Sequence, residues 1–84
     1  MIQVAIVEDI TPIAEALKAK TLLSPDFKLK FIAPNGAEII KFLERDHNVD
    51  VIIMDINMPE MNGIEATNRI SQRWPQIKIV MSSV

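Results

Sequence analysis

Four short apolar runs alternate with segments in which apolar residues recur at helical spacing. The first run, Ile2–Val7, is almost wholly apolar, as a strand covered on both faces should be. It stops at Glu8-Asp9. Thr11 then offers an N-cap, Pro12 suits the first helical position, and Ile13, Ala16, Leu17 and Leu23 mark an inward stripe that Ser24-Pro25-Asp26 ends. The second run, Phe27–Ala33, alternates apolar residues with Lys28 and Lys30, which predicts an edge strand with one exposed face. Asn35 caps a second helix whose inward positions are Ile39, Ile40 and Leu43, with Arg45 and His47 near its negative end. Residues 49–54 form a third strand, apolar except for Asp50. Gly63–Arg73 reads as a third helix with Ala66, Ile70 and Trp74 facing inward. Pro75 closes it, and residues 77–81 form a fourth strand. The order β-α-β-α-β-α-β belongs to an α/β fold with a parallel sheet.

Composition narrows the classes without choosing among them. The chain has 84 residues, enough for one small domain, and its 49% hydrophobic and 24% charged content is that of a folded globule. A net charge of −2 does not suggest an electrostatic nucleic-acid binder, which normally needs a basic face. The absence of cysteine removes disulfide and thiolate-metal chemistry. The N-terminus lacks the basic leader of a signal peptide, and no stretch approaches the ~20 apolar residues of a membrane span. A soluble cytoplasmic protein is the expectation.

The chemistry lies where strands end. Glu8 and Asp9 follow the first strand, Asp55 follows the third, and Ser82-Ser83 follow the fourth. In open α/β sheets, sites form beyond the carboxyl ends of the strands. Three converging carboxylates repel one another by about 1 kcal/mol per pair at ~4 Å in water, and by more when buried. A cation or a shifted pKa relieves that repulsion, and an all-oxygen set suits Mg²⁺. A carboxylate so placed can also act as a nucleophile toward phosphorus. Alone, each of these residues reads as ordinary: a solvated acid, a turn at Asn62-Gly63, loop serines, a solvated His47, and methionines that pack.

Val4-Ala5-Ile6-Val7-Glu8-Asp9, the stretch from Val51 to Gly63 (VIIMDINMPEMNG), and Val80-Met81-Ser82-Ser83 together closely resemble the receiver domain of two-component response regulators. The resemblance implies a flavodoxin-like, doubly wound parallel sheet of strand order 2-1-3-4. It covers the whole chain as one domain, residues 1–84, without that family's final helix-strand-helix portion. By the same resemblance, Asp55 accepts a phosphoryl group from a sensor histidine kinase. Asp9 and Asp55 ligate Mg²⁺ through carboxylates, Asn57 through its backbone carbonyl, and Glu8 through a metal-bound water. Ser83, rather than Ser82, aligns with the switch hydroxyl, and Pro59 and Gly63 shape the loop.

The family's phosphate-binding Lys and aromatic switch residue, which belong to that final portion, are not among these residues. A fourth strand left at the sheet edge, guarded only by Lys78, predicts self-association, including exchange of an element with a second copy. The function expected is phosphoryl acceptance that controls an output domain outside this chain, DNA-binding by expectation, with no nucleic acid or membrane bound by the chain itself. The alternative is a phosphorylation-independent dimerisation or interaction module. An aspartate-based phosphatase is disfavoured, because Asn57 stands where such enzymes resemble one another in having an acid, and an amide cannot serve as a general acid.

Overall fold

The computed structural model describes residues 1–55 and 63–82. Its elements are β1 (Ile2–Val7), α1 (Thr11–Leu22), β2 (Phe27–Ala33), α2 (Gly36–Arg45), β3 (Val51–Asp55), α3 (Gly63–Arg73) and β4 (Lys78–Ser82). The four strands form one parallel sheet in the order β2-β1-β3-β4, the order implied by the resemblance to receiver domains.

Two faces result. Ala5, Val7, Ile52 and Met54 point to the side where α2 and α3 pack, joining Ile39, Leu43, Ala66, Ile70 and Trp74 in one buried cluster. Truncating Ile52, fully buried at the sheet centre, should cost about 2–5 kcal/mol, as such core truncations do. For a chain of this size, whose total stability is roughly 4–13 kcal/mol, Ile52→Ala should move the urea midpoint far down or leave no folded baseline.

Asn35 caps α2 as expected: its Oδ1 accepts from the Glu38 amide at 2.9 Å. The start of α1 differs from expectation. Ile10, not Thr11, holds the N-cap position in extended geometry and supplies no side-chain cap, so Thr11 and Pro12 are already helical. The Ile10 carbonyl accepts the Ala14 amide, while its own amide donates to Glu8. The inward stripe of α1 is also rephased. Ala14 and Thr21 are buried and Leu17 is half-buried, whereas Ala16 is exposed and Leu23 is 83% exposed. Burying Thr21 is tolerable because its hydroxyl donates to the Leu17 carbonyl at 2.9 Å. Leu23 already lies past the last helical residue.

Strand β2 is an edge, but its two-residue alternation breaks. Its register with β1 slips between Val4 and Ala5, skipping Lys30. The bulge sends Leu29 to the α1 side with Val4 and Phe31 to the α2 side, where it stacks on Phe42 with ring centroids 4.7 Å apart. Lys30 pairs with Asp46 at 2.8 Å, and that partner holds the Asp46 carboxyl below its ordinary 3.8. A depressed carboxyl stabilises the fold above its unfolded value and loses that contribution as pH falls through the folded one. Asp46→Asn should therefore flatten the stability curve only on this acid limb, a difference that urea titrations across pH would resolve.

Strand β3 begins two residues later than expected and ends one later, so it includes Asp55 itself. Asp50 serves as a clasp instead. Its amide donates to the Gln3 carbonyl, its carboxylate accepts from the Gln3 amide, and its carbonyl accepts from Lys78. Strand β4 is likewise shifted by one residue and runs to Ser82.

Candidate functional site

The site is assembled by strand register. Val7 pairs with Met54 across β1 and β3, so the residues that follow, Glu8 and Asp55, emerge side by side at the carboxyl edge of the sheet. On the other side, Asp55 pairs with Ser82 of β4. Glu8 continues the β1-β2 ladder, its amide donating to the Ala33 carbonyl at 3.0 Å. Both acids are held by backbone in the sheet, which fixes their positions better than a loop would.

Glu8 and Asp55 are buried, at 5% and 8% exposure, while Asp9 is open to solvent. One carboxylate oxygen from each lies within 4.8 Å of the others. Burial pushes the Glu8 carboxyl above its ordinary range. The Ile10 amide, 3.2 Å from Glu8 Oε2, pulls it back, and hydrogen bonding with Asp55 and Asp9 raises it further. Glu8 therefore holds its proton longer than a solvated glutamate, which lessens the like-charge repulsion in the cluster. The donor set is three oxygen ligands of mixed burial with an open side. That fits Mg²⁺, which uses few carboxylates and keeps waters.

Glu8, Asp9 and Asp55 thus come together as expected. Asn57, Pro59 and Ser83 lie outside the described residues. Ser82, passed over in favour of Ser83, is half-buried and sits in register beside Asp55. The bond from the Ile10 amide to Glu8 was not foreseen. Ile10 carries no polar side chain, so the only sequence signal was the two-residue spacing from Glu8.

The chain matches the family model described as response regulator receiver domain over residues 4–84. It is 36% identical over 83 residues to the transcriptional regulatory protein DegU of Brevibacillus brevis, covering 99% of this chain and 35% of that one. It is 40% identical over 82 residues to a protein-glutamate methylesterase/protein-glutamine glutaminase of Nitrosospira multiformis, covering 98% and 23%. The crystal structure of the response regulator TrrA from Thermotoga maritima, in complex with Mg²⁺ and BeF, superposes with a TM-score of 0.87 at 30% identity, covering 99% of this chain and 70% of that one. The chain spans about a third or less of the curated relatives it matches. Among the described residues, no helix is long and apolar enough to cross a membrane. The family match, the 2-1-3-4 parallel sheet and the acidic triad at its carboxyl edge agree: this chain belongs to the response regulator receiver domains.

Proposed function

We propose that Asp55 is a phosphoacceptor, receiving its phosphoryl group from a phosphohistidine of a sensor kinase in the cytoplasm. One observation carries this reading: a buried strand-end aspartate lies within 4.8 Å of two further carboxylates. In the step, an Asp55 carboxylate oxygen forms a bond to phosphorus as the phosphorus–nitrogen bond to the kinase imidazole breaks. The imidazole leaves and takes a proton from solvent. Burial in the sheet holds Asp55 in one orientation for in-line approach. Glu8 and Asp9, with Asp55 and the Asn57 carbonyl, would hold Mg²⁺; when bound, it neutralises charge on the transferred oxygens. We assign the switch hydroxyl to Ser83, with Ser82 as the hydroxyl whose backbone is in register with Asp55.

Mixing the chain with acetyl phosphate and Mg²⁺ tests this reading. Intact mass should rise by one phosphoryl group, and omission of Mg²⁺ should suppress the gain. An unchanged mass under both conditions would sink it.

A DNA-binding output draws support from the DegU relative, and an enzymatic output equally from the methylesterase relative. The phosphoryl chemistry is the same for either. Self-association forms part of the same proposal, supported by exposed apolar side chains on β4 and at the end of α1, notably Val80, Met81, Leu22 and the C-cap residue Leu23.

A further inference from the structure

Glu8 differs from the two acids beside it. A glutamate carboxylate rides on one more rotatable bond than that of an aspartate, so burial alone does not fix where its oxygens point. The main chain of Glu8 is pinned in the sheet, its amide donating to the Ala33 carbonyl at 3.0 Å. Its head is pinned separately, with Oε2 accepting the Ile10 amide at 3.2 Å. While one oxygen is held, the carboxylate cannot swing about its last torsion without breaking that bond.

Ile10 can lend this amide because of how α1 begins. The leading N–H groups of a helix have no acceptor within it, and no side chain caps them in α1. The first turn also lacks an acid of its own. Glu8, reaching forward from the end of β1, supplies the negative charge that the positive end of a helix favours. The anchor is itself stiff. Ile10 is extended, at φ −92° and ψ 111°, and its carbonyl accepts the amides of Ile13 at 3.1 Å and Ala14 at 3.0 Å. Moving the Ile10 amide would carry the first turn of α1 with it.

Resting on the Mg²⁺-dependent phosphoacceptor reading, we propose that Ile10 is a positioning residue for the metal site, acting through its backbone amide. The amide holds the Glu8 carboxylate in the orientation that keeps one of its oxygens within 4.8 Å of those of Asp9 and Asp55. The side chain has no part in this: it is 50% exposed and carries no polar group. A metal ligand that loses such an outer partner still binds, but more weakly, by ~10- to 100-fold in typical sites. One carboxylate of three is affected, which puts the expected loss at the low end.

Ile10→Pro deletes the N–H and retains the carbonyl that starts α1. The native φ of −92° lies near the proline value of about −65°, and circular dichroism shows whether the variant is folded. By isothermal titration calorimetry, Ile10→Pro should raise the Mg²⁺ dissociation constant roughly tenfold. Proline also restricts Asp9 before it, so the cycle is closed with Glu8→Ala. In that background the proline should cost nothing further, because the carboxylate it acts through is gone. Hydrogen exchange of the metal-free chain reads the bond without any proline. There the Ile10 amide should exchange on the order of tenfold faster in Glu8→Ala than in the parent.

A proline effect of equal size with and without the Glu8 carboxylate would overturn the positioning role while leaving Mg²⁺ binding in place. So would an Ile10 amide whose exchange is indifferent to Glu8→Ala. A parent chain that binds no Mg²⁺ overturns both this role and the reading it rests on.

Discussion

Asp55→Asn should abolish the phosphoryl adduct entirely, with no mass gain from acetyl phosphate under conditions that modify the parent chain. The amide keeps the shape of the side chain but has no carboxylate oxygen to attack phosphorus. The substitution should not damage the fold. It removes one negative charge from three that lie within 4.8 Å, and repulsion of that kind costs about 1 kcal/mol per pair even in water. The metal-free variant should therefore melt at or above the temperature of the parent. That pairing separates lost chemistry from lost structure. An adduct that persists in Asp55→Asn would place the acceptor elsewhere, whatever the melting temperature.

Mg²⁺ should stabilise the parent chain, and Asp9→Asn should remove most of that gain while raising the metal-free baseline. Binding to the folded state alone at ten times the dissociation constant adds about 1.4 kcal/mol, or roughly 6–11 °C for a domain of this size. The gain has a pH signature. Glu8 is raised in the folded state, so its held proton stabilises the metal-free fold below the unfolded value. That contribution is lost as pH rises through the folded value. Metal-free stability should fall over this window, and the Mg²⁺ increment should grow across it as the proton ceases to compete. A Mg²⁺ effect equal in the parent, Asp9→Asn and Asp55→Asn chains, by differential scanning calorimetry, would exclude this cluster as the metal site.

Much of this architecture is legible in the sequence, for physical reasons that vary by element. Gly63–Arg73 could be read to the residue because its stripe of Ala66, Ile70 and Trp74 faces one dense core and Pro75 follows directly. The α2 cap was legible because an asparagine there has one geometric role, accepting the Glu38 amide. Helix α1 resisted because its apolar residues serve two surfaces. Periodicity alone cannot tell a stripe that meets the sheet from one that meets solvent, and Leu23 was assigned to the wrong one. The β2 bulge was hidden because skipping Lys30 shifts phase without changing composition. At the site, the three carboxylates were visible as strand-terminal acids. Their distances were not, because convergence depends on β1 and β3 being neighbours in register. The Glu8–Ile10 bond uses a backbone amide, which no residue type announces.

On the proposed function, Asp55 alone among the clustered acids forms the acyl phosphate. Borohydride reduces an acyl phosphate of aspartate to homoserine, so treatment of the phosphorylated chain followed by peptide mass mapping reads the position directly. Homoserine is expected at residue 55 and at neither Asp9 nor any other aspartate, with Glu8 unaltered. Reduction at Asp9 or Glu8, or an adduct that survives borohydride unchanged, would contradict it.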